Sequence, residues 1–154
     1  MALAGALPGQ VKADAINPGF HYLSTPSGGA GVSLPVIGFV PLMGNPIGPG
    51  DTDTIIHRTG GLADGDIGTI PVELVALSLV SANPVDMSGG NLYDVHVKLD
   101  PGNASTGHID ILTHDDAPGG TFDSFFDVFV EIDLVPLGGS PALGPFFDQA
   151  DVDA

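Results

Sequence analysis

The chain has 154 residues, 43% of them hydrophobic, with 23 Gly, 14 Pro and no Cys. Three Lys and Arg face 19 Asp and Glu, a formal net charge of −16, which sets the surface against phosphate backbones and anionic lipid. Without cysteine there are neither disulfides nor thiolate metal sites, and no run of apolar residues is long enough for a membrane helix.

Abundant Gly and Pro beside so many apolar residues predict short strands joined by turns, within one domain. Only Glu73 and Glu131 among the acids are Glu. Asp favours turns and caps and disfavours helix interiors, and it is also a favoured Ca²⁺ ligand.

Residues 1–15, MALAGALPGQVKADA, combine an apolar stretch with a small-x-small Ala13-Asp14-Ala15. They read either as the end of a secretion signal or as a flexible N-terminus. Residues 16–50 read as a Pro/Gly-rich extended arm. Pro35 and Pro41 lack ladder donors, so the apolar run Val32 to Met43 is expected at a sheet edge or laid across the fold.

From Asp51 the pattern becomes regular, and residues 51–137 are expected to form the β-sandwich core. Thr52 to Arg58 predicts a short strand. Pro71 to Ser81 is apolar on both parities and predicts a central strand. Leu92 to Leu99 and His108 to Thr113 read as a hairpin. That register sets Val97 against Ile109 and Val95 against Ile111, with Lys98 opposite His108 and His96 opposite Asp110.

Gly120 to Leu134, GTFDSFFDVFVEIDL, carries the strongest signal. Phe122, Phe126, Val128, Val130, Ile132 and Leu134 share one parity, and Asp123, Asp127, Glu131 and Asp133 the other. A period of two over that length predicts a long strand with one buried and one acidic face. Residues 138–154 form an acidic tail with an apolar patch at Phe146-Phe147.

Candidate chemistry is sparse. Asp51, Asp53, Asp64 and Asp66 flank one strand–loop unit, and clustered loop carboxylates suit Ca²⁺. They lack the twelve-residue loop closed by a bidentate Glu. His108, Asp110 and His114 share a face on an unbroken strand, a spacing that can hold zinc or perform acid–base work. Glu131 with Asp127 or Asp133 are paired carboxylates of the glycosidase kind. Asn103-Ala104-Ser105 matches the glycosylation sequon. A Gly-x-Ser-x-Gly elbow and a phosphate-binding Gly-rich loop are both missing, and with no Trp the aromatic platform of sugar binders is thinly stocked.

Three blocks, PLMGNPIGPGDTDTIIHR (Pro41 to Arg58), PVELVALSLVSANPV (Pro71 to Val85) and GGTFDSFFDVFVEIDL (Gly119 to Leu134), resemble a group of secreted bacterial proteins of unassigned function. Many of these carry the exosortase-type (PEP-CTERM) sorting tail. The resemblance covers about Pro41 to Leu137. It implies export and a cell-surface or matrix setting, and carries no catalytic residues with it.

The expectation is therefore an all-β sandwich of mostly antiparallel strands. Its expected role is a non-enzymatic, extracellular or cell-surface structural protein that forms a homo-oligomer or polymer. The alternative is a Ca²⁺-dependent carbohydrate-binding module on the same fold, with an extracellular glycan as partner.

Overall fold

A computed structural model describes residues 14–115 and 119–143. All but the last two residues of the expected signal remnant, Asp116, and the Phe146-Phe147 patch with its acidic tail lie outside the described residues. The described chain is all-β and contains no helix. Its ten strands are β1 (Gly19–Leu23), β2 (Ala30–Leu34), β3 (Gly38–Gly44), β4 (Thr54–Arg58), β5 (Gly68–Ser81), β6 (Val85–Asp86), β7 (Leu92–Leu99), β8 (Ser105–His114), β9 (Gly120–Asp127) and β10 (Val130–Pro136). Every strand pair is antiparallel, and the strands join into one hydrogen-bonded sheet.

The pairing has a simple plan. β4 lies along the first half of β5, from Arg58↔Val72 to Thr54↔Leu77, and β3 continues along the second half, from Gly44↔Leu79 to Leu42↔Ser81. Both run on the same side of β5, because Ser78 donates its N–H to Asp53 O and accepts from Asn45 N. On the other side β8 covers Gly68 to Leu74 and β7 covers Ser78 to Val80. β1 and β2 follow each other along β4 and β3, and β9 and β10 along β8 and β7. The fold is thus a meander of five long passes, 19–34, 38–58, 68–81, 92–114 and 120–136. Each neighbour in sequence is a neighbour in space.

This plan corrects the expected hairpin. β7 and β8 do not pair with each other; they lie end to end against β5, so Val97 faces Leu79 and Ile132, while Ile109 faces Ile70 and Ser124. The fourteen residues of β5 give two consecutive strands room on one flank.

The passes are all interrupted at one height. Residues 24–29, 45–53, 100–104 and 128–129 break the other four, and β5 carries a bulge there, with Leu74 and Ala76 opposite Ile56 and Ile55 and Val75 left over. Strand breaks strand backbone donors and acceptors, and buried ones need partners. Hence the buried polar residues Thr52, Asp53 and Ser105 line this crease. Ser105 Oγ accepts from Phe129 N at 2.9 Å, and Asn45 Nδ2 donates to Ser78 Oγ at 3.1 Å.

The crease divides the sheet into two unequal halves. β2, β3, the end of β5, β7 and β10 share one core: Leu34, Val40, Leu42, Leu79, Tyr93, Val95, Val97, Ile132 and Leu134. The segment after β10 folds back over the start of β7. Leu137 N donates to Leu92 O, Tyr93 Oη donates to Pro141 O at 2.9 Å, and Leu143 packs on the core.

The expected N-terminal arm is corrected here, because residues 16–50 supply β1 to β3, and Leu34, Val40 and Leu42 are core residues. Pro41 is tolerated inside the sheet because its carbonyl accepts from Ala82 N. Its nitrogen points to that same side, where β5 has just ended. Pro71 repeats the device: its carbonyl accepts from Thr59 N, beyond the end of β4.

The other half, β1, β4, the start of β5, β8 and β9, buries much less. Ile70, Val72 and Leu74 are covered, but the edge strands are open, and Phe122 is 61% exposed. The single long strand expected over Gly120 to Leu134 is broken at 128–129, and its alternation is correct for Ile132 and Leu134 but fails for Phe122, on the open edge strand, and for Val128, in the break.

Candidate assembly surface

Directly opposed residues in antiparallel pairs share a face. In the open half-sheet one face therefore carries His21, Leu23, Ile56, Arg58, Ile70, Val72, Leu74, Ile109, Phe122, Ser124 and Phe126. The other carries Phe20, Tyr22, His57, Glu73, Pro71, His108, Asp110, Asp123, Phe125 and Asp127. Phe20 stacks on His57 with centroids 4.4 Å apart and planes 12° apart, and Phe125 lies 5.8 Å from His108. Phe20, Tyr22 and Phe125 are each more than half exposed. Thr69 Oγ1 donates to Asp110 Oδ1 at 2.5 Å.

Both lateral edges of this half-sheet are unpaired: among the described residues β1 bonds only to β4, and β9 only to β8. Their charges differ in sign. β1 and β4, GFHYL and TIIHR, contain no acid and carry Arg58 with His21 and His57. Arg58 Nε donates to Asn17 O at 3.1 Å, and its Nη1 sits against His21 Nε2. Burial and then the neighbouring Arg58 charge lower the His21 pKa from its ordinary value, so the neutral ring accepts from Arg58. β8 and β9 instead carry Asp110, Asp123 and Asp127.

The carboxylates expected to hold calcium are not brought together. Asp53 is fully buried and already engaged: Oδ2 accepts from Thr25 N at 2.5 Å, and Oδ1 from Thr25 Oγ1 at 3.0 Å and Thr54 Oγ1 at 2.6 Å. A side chain on Gly44 would collide with Asp53 Oδ2, so the site is closed by backbone. Asp51 lies in the exposed turn before it, while Asp64 and Asp66 lie in the turn beyond the far end of β4. Five residues of strand separate the two pairs by about 15 Å. Among the described residues, no group of three or more His, Asp or Glu is placed to hold a metal ion.

The histidine constellation is split as well. His108 Nε2 lies 3.5 Å from Asp110 Oδ2, but a bulge between Ile111 and Thr113 moves His114 to the opposite face, where its Nδ1 donates to Asp66 O at 2.8 Å. Glu131 and Asp133 grip Lys98, at 3.3 and 3.1 Å, and raise its pKa, chiefly through the Asp133 hydrogen bond. In the sequon, Asn103 is exposed and Nδ2 donates to Asp100 Oδ2 at 2.6 Å. Hollows of about 330, 360 and 460 Å³ hold one or two titratable side chains each: Asp86; His114; Glu73 with Asp100.

Sequence reasoning missed the β1 side of the surface. The signal was present: Phe20-His21-Tyr22-Leu23 alternates two aromatics against a His and a Leu, and all four are exposed. Comparison of the chain with family models, with curated proteins and with solved structures finds no match.

Proposed function

We propose that this chain is a non-enzymatic structural protein of the extracellular space or cell surface, a subunit that assembles with copies of itself into a layer, matrix or fibre. The observation that carries this reading is the open half-sheet, with two edges that no other strand among the described residues pairs, and large apolar side chains exposed beside both. Natural sheets protect such edges with coverage, prolines or charge; β9 carries Asp123 and Asp127, whereas β1 has neither proline nor formal charge, and an edge left bare is a template for another strand. Light scattering and electron microscopy with and without EDTA test the reading. Mass that rises above the monomer with concentration, in ordered particles, is the expected result, and a monomer under every condition refutes it.

A second reading has its own observation. Phe20 and Tyr22 at one margin, and Phe125 at the other, stand on one face about 19 Å apart across four strand spacings. Polar groups, His57, Glu73, His108 and Asp110, lie between them. Rings spaced across a flat polar face suit stacking against a polysaccharide, which makes a carbohydrate-binding module the alternative. Calorimetry against soluble glycans with and without Ca²⁺ separates the two: saturable binding by a monomer favours the module.

A further inference from the structure

We propose that the two open edges belong together: β9 of one molecule docks on β1 of a second copy, head to tail. This rests on the self-assembly reading above and specifies its joint. Three observations point to it. First, the edges differ in charge: β9 presents Asp123 and Asp127 with Asp110 behind them, and β1 presents no acid, with Arg58 behind it on the opposite face. Two β9 edges brought together would oppose aspartates, which is unfavourable, whereas β9 against β1 meets no like charge. The acids on β9 thus bar the symmetric pair and leave the mixed one open.

Second, the faces match. β9 carries Phe122 and Phe126 on the face where β1 carries Leu23, and Phe125 on the face where β1 carries Phe20 and Tyr22. Joining the edges with faces aligned continues an apolar strip on one side and an aromatic strip on the other. Third, β1 and β9 are the first and fifth passes of a meander, so they run in the same direction. A copy that keeps the faces aligned therefore pairs in parallel, and the contact it makes on one side it leaves open on the other. Such a heterologous contact does not close on a dimer, and repetition yields a filament that advances by one five-strand half-sheet, about 24 Å, per subunit.

The absence of cysteine gives a clean test in the full chain. Leu23→Cys on β1 and Ser124→Cys on β9 replace exposed residues of the same face, and circular dichroism checks that both variants fold. Each alone, and the two mixed, are treated with a short bis-maleimide under conditions in which light scattering reports assembly. The expected result is a mixed dimer in about tenfold excess over either homodimer. Polymers that give only homodimers, or no cross-link, overturn the head-to-tail joint and leave self-assembly standing. A monomer in every mixture overturns both.

Discussion

Thr25 and Asp53, 28 residues apart, are joined twice: the backbone amide and the hydroxyl of the threonine both donate to the aspartate's carboxylate. This pair fastens the link between β1 and β2 to the link between β3 and β4, at the level where the passes break. A buried carboxylate without a cation needs such donors, since an uncompensated one is strongly destabilising.

Asp53→Ala is expected to cost about 2–3 kcal/mol, because it strands a partly buried amide and two hydroxyls. Thr25→Ala, which leaves the amide and Thr54 in place, is expected to cost about 1 kcal/mol. Urea denaturation of both variants checks the order. Equal, small effects would show that the crease is held by something else.

The two halves of the sheet should respond differently to truncation. Ile132→Ala removes a side chain from the closed core and is expected to cost about 3–4 kcal/mol. Phe122→Ala removes a larger side chain from the open edge and should change monomer stability by only about 0.5 kcal/mol. Thermal melts of dilute protein compare them.

How much of this was legible in the sequence depends on range. The strand character of β4, β5, β7 and β10 follows from local alternation and was readable. Partner choice is not: Lys98 and His108 have the spacing and charge of a cross-strand pair, yet Lys98 lies opposite Glu131 and Ser78. Nothing near Asp53 announces Thr25, so an aspartate that pins two loops looked like a metal ligand. His108 and His114 share parity in the sequence, and only the bulge at Ile111/Thr113 reveals that they face opposite ways. Nor can alternation distinguish an edge strand from a covered one, which is why Phe122 was expected in the core.

His21 gives a pH prediction. Its pKa is lowered, so the folded state resists the proton that the unfolded chain accepts near the ordinary value of 6.5. Its contribution is therefore fully present above that pH and is lost as pH falls through the lower, folded-state value. Proton NMR should show a His21 midpoint below 6.5. Arg58→Gln should raise that midpoint without restoring it fully, since burial is the larger cause. An unchanged midpoint in the variant would remove Arg58 from the account.

Gly107 should control the β9 edge. A Cβ there would run into the Phe125 carbonyl across the β8–β9 ladder. Gly107→Ala is expected to speed amide exchange over residues 120–127 by at least about tenfold while Val95 and Ile132 keep their protection. Uniform loosening of both halves would show that the two half-sheets open together.

Assembly should depend on salt in a telling direction. Each chain carries −16, so copies repel one another at long range. Raising ionic strength shortens that repulsion to about 8 Å at physiological salt and should promote assembly. Sedimentation velocity across a salt series measures it, and dissociation on adding salt would place the joint on charge alone.

Because every pass bonds to the one made just before it, the fold can be laid down in the order of synthesis, like courses of a wall. When the ribosome has released residues up to Ser81, β5 already has β3 and β4 along one flank and awaits β7 and β8 on the other. No finished row must reopen to admit a later one. A nascent chain of this kind always presents a single growing margin, and that margin reaches its final form only when β9 and β10 are in place.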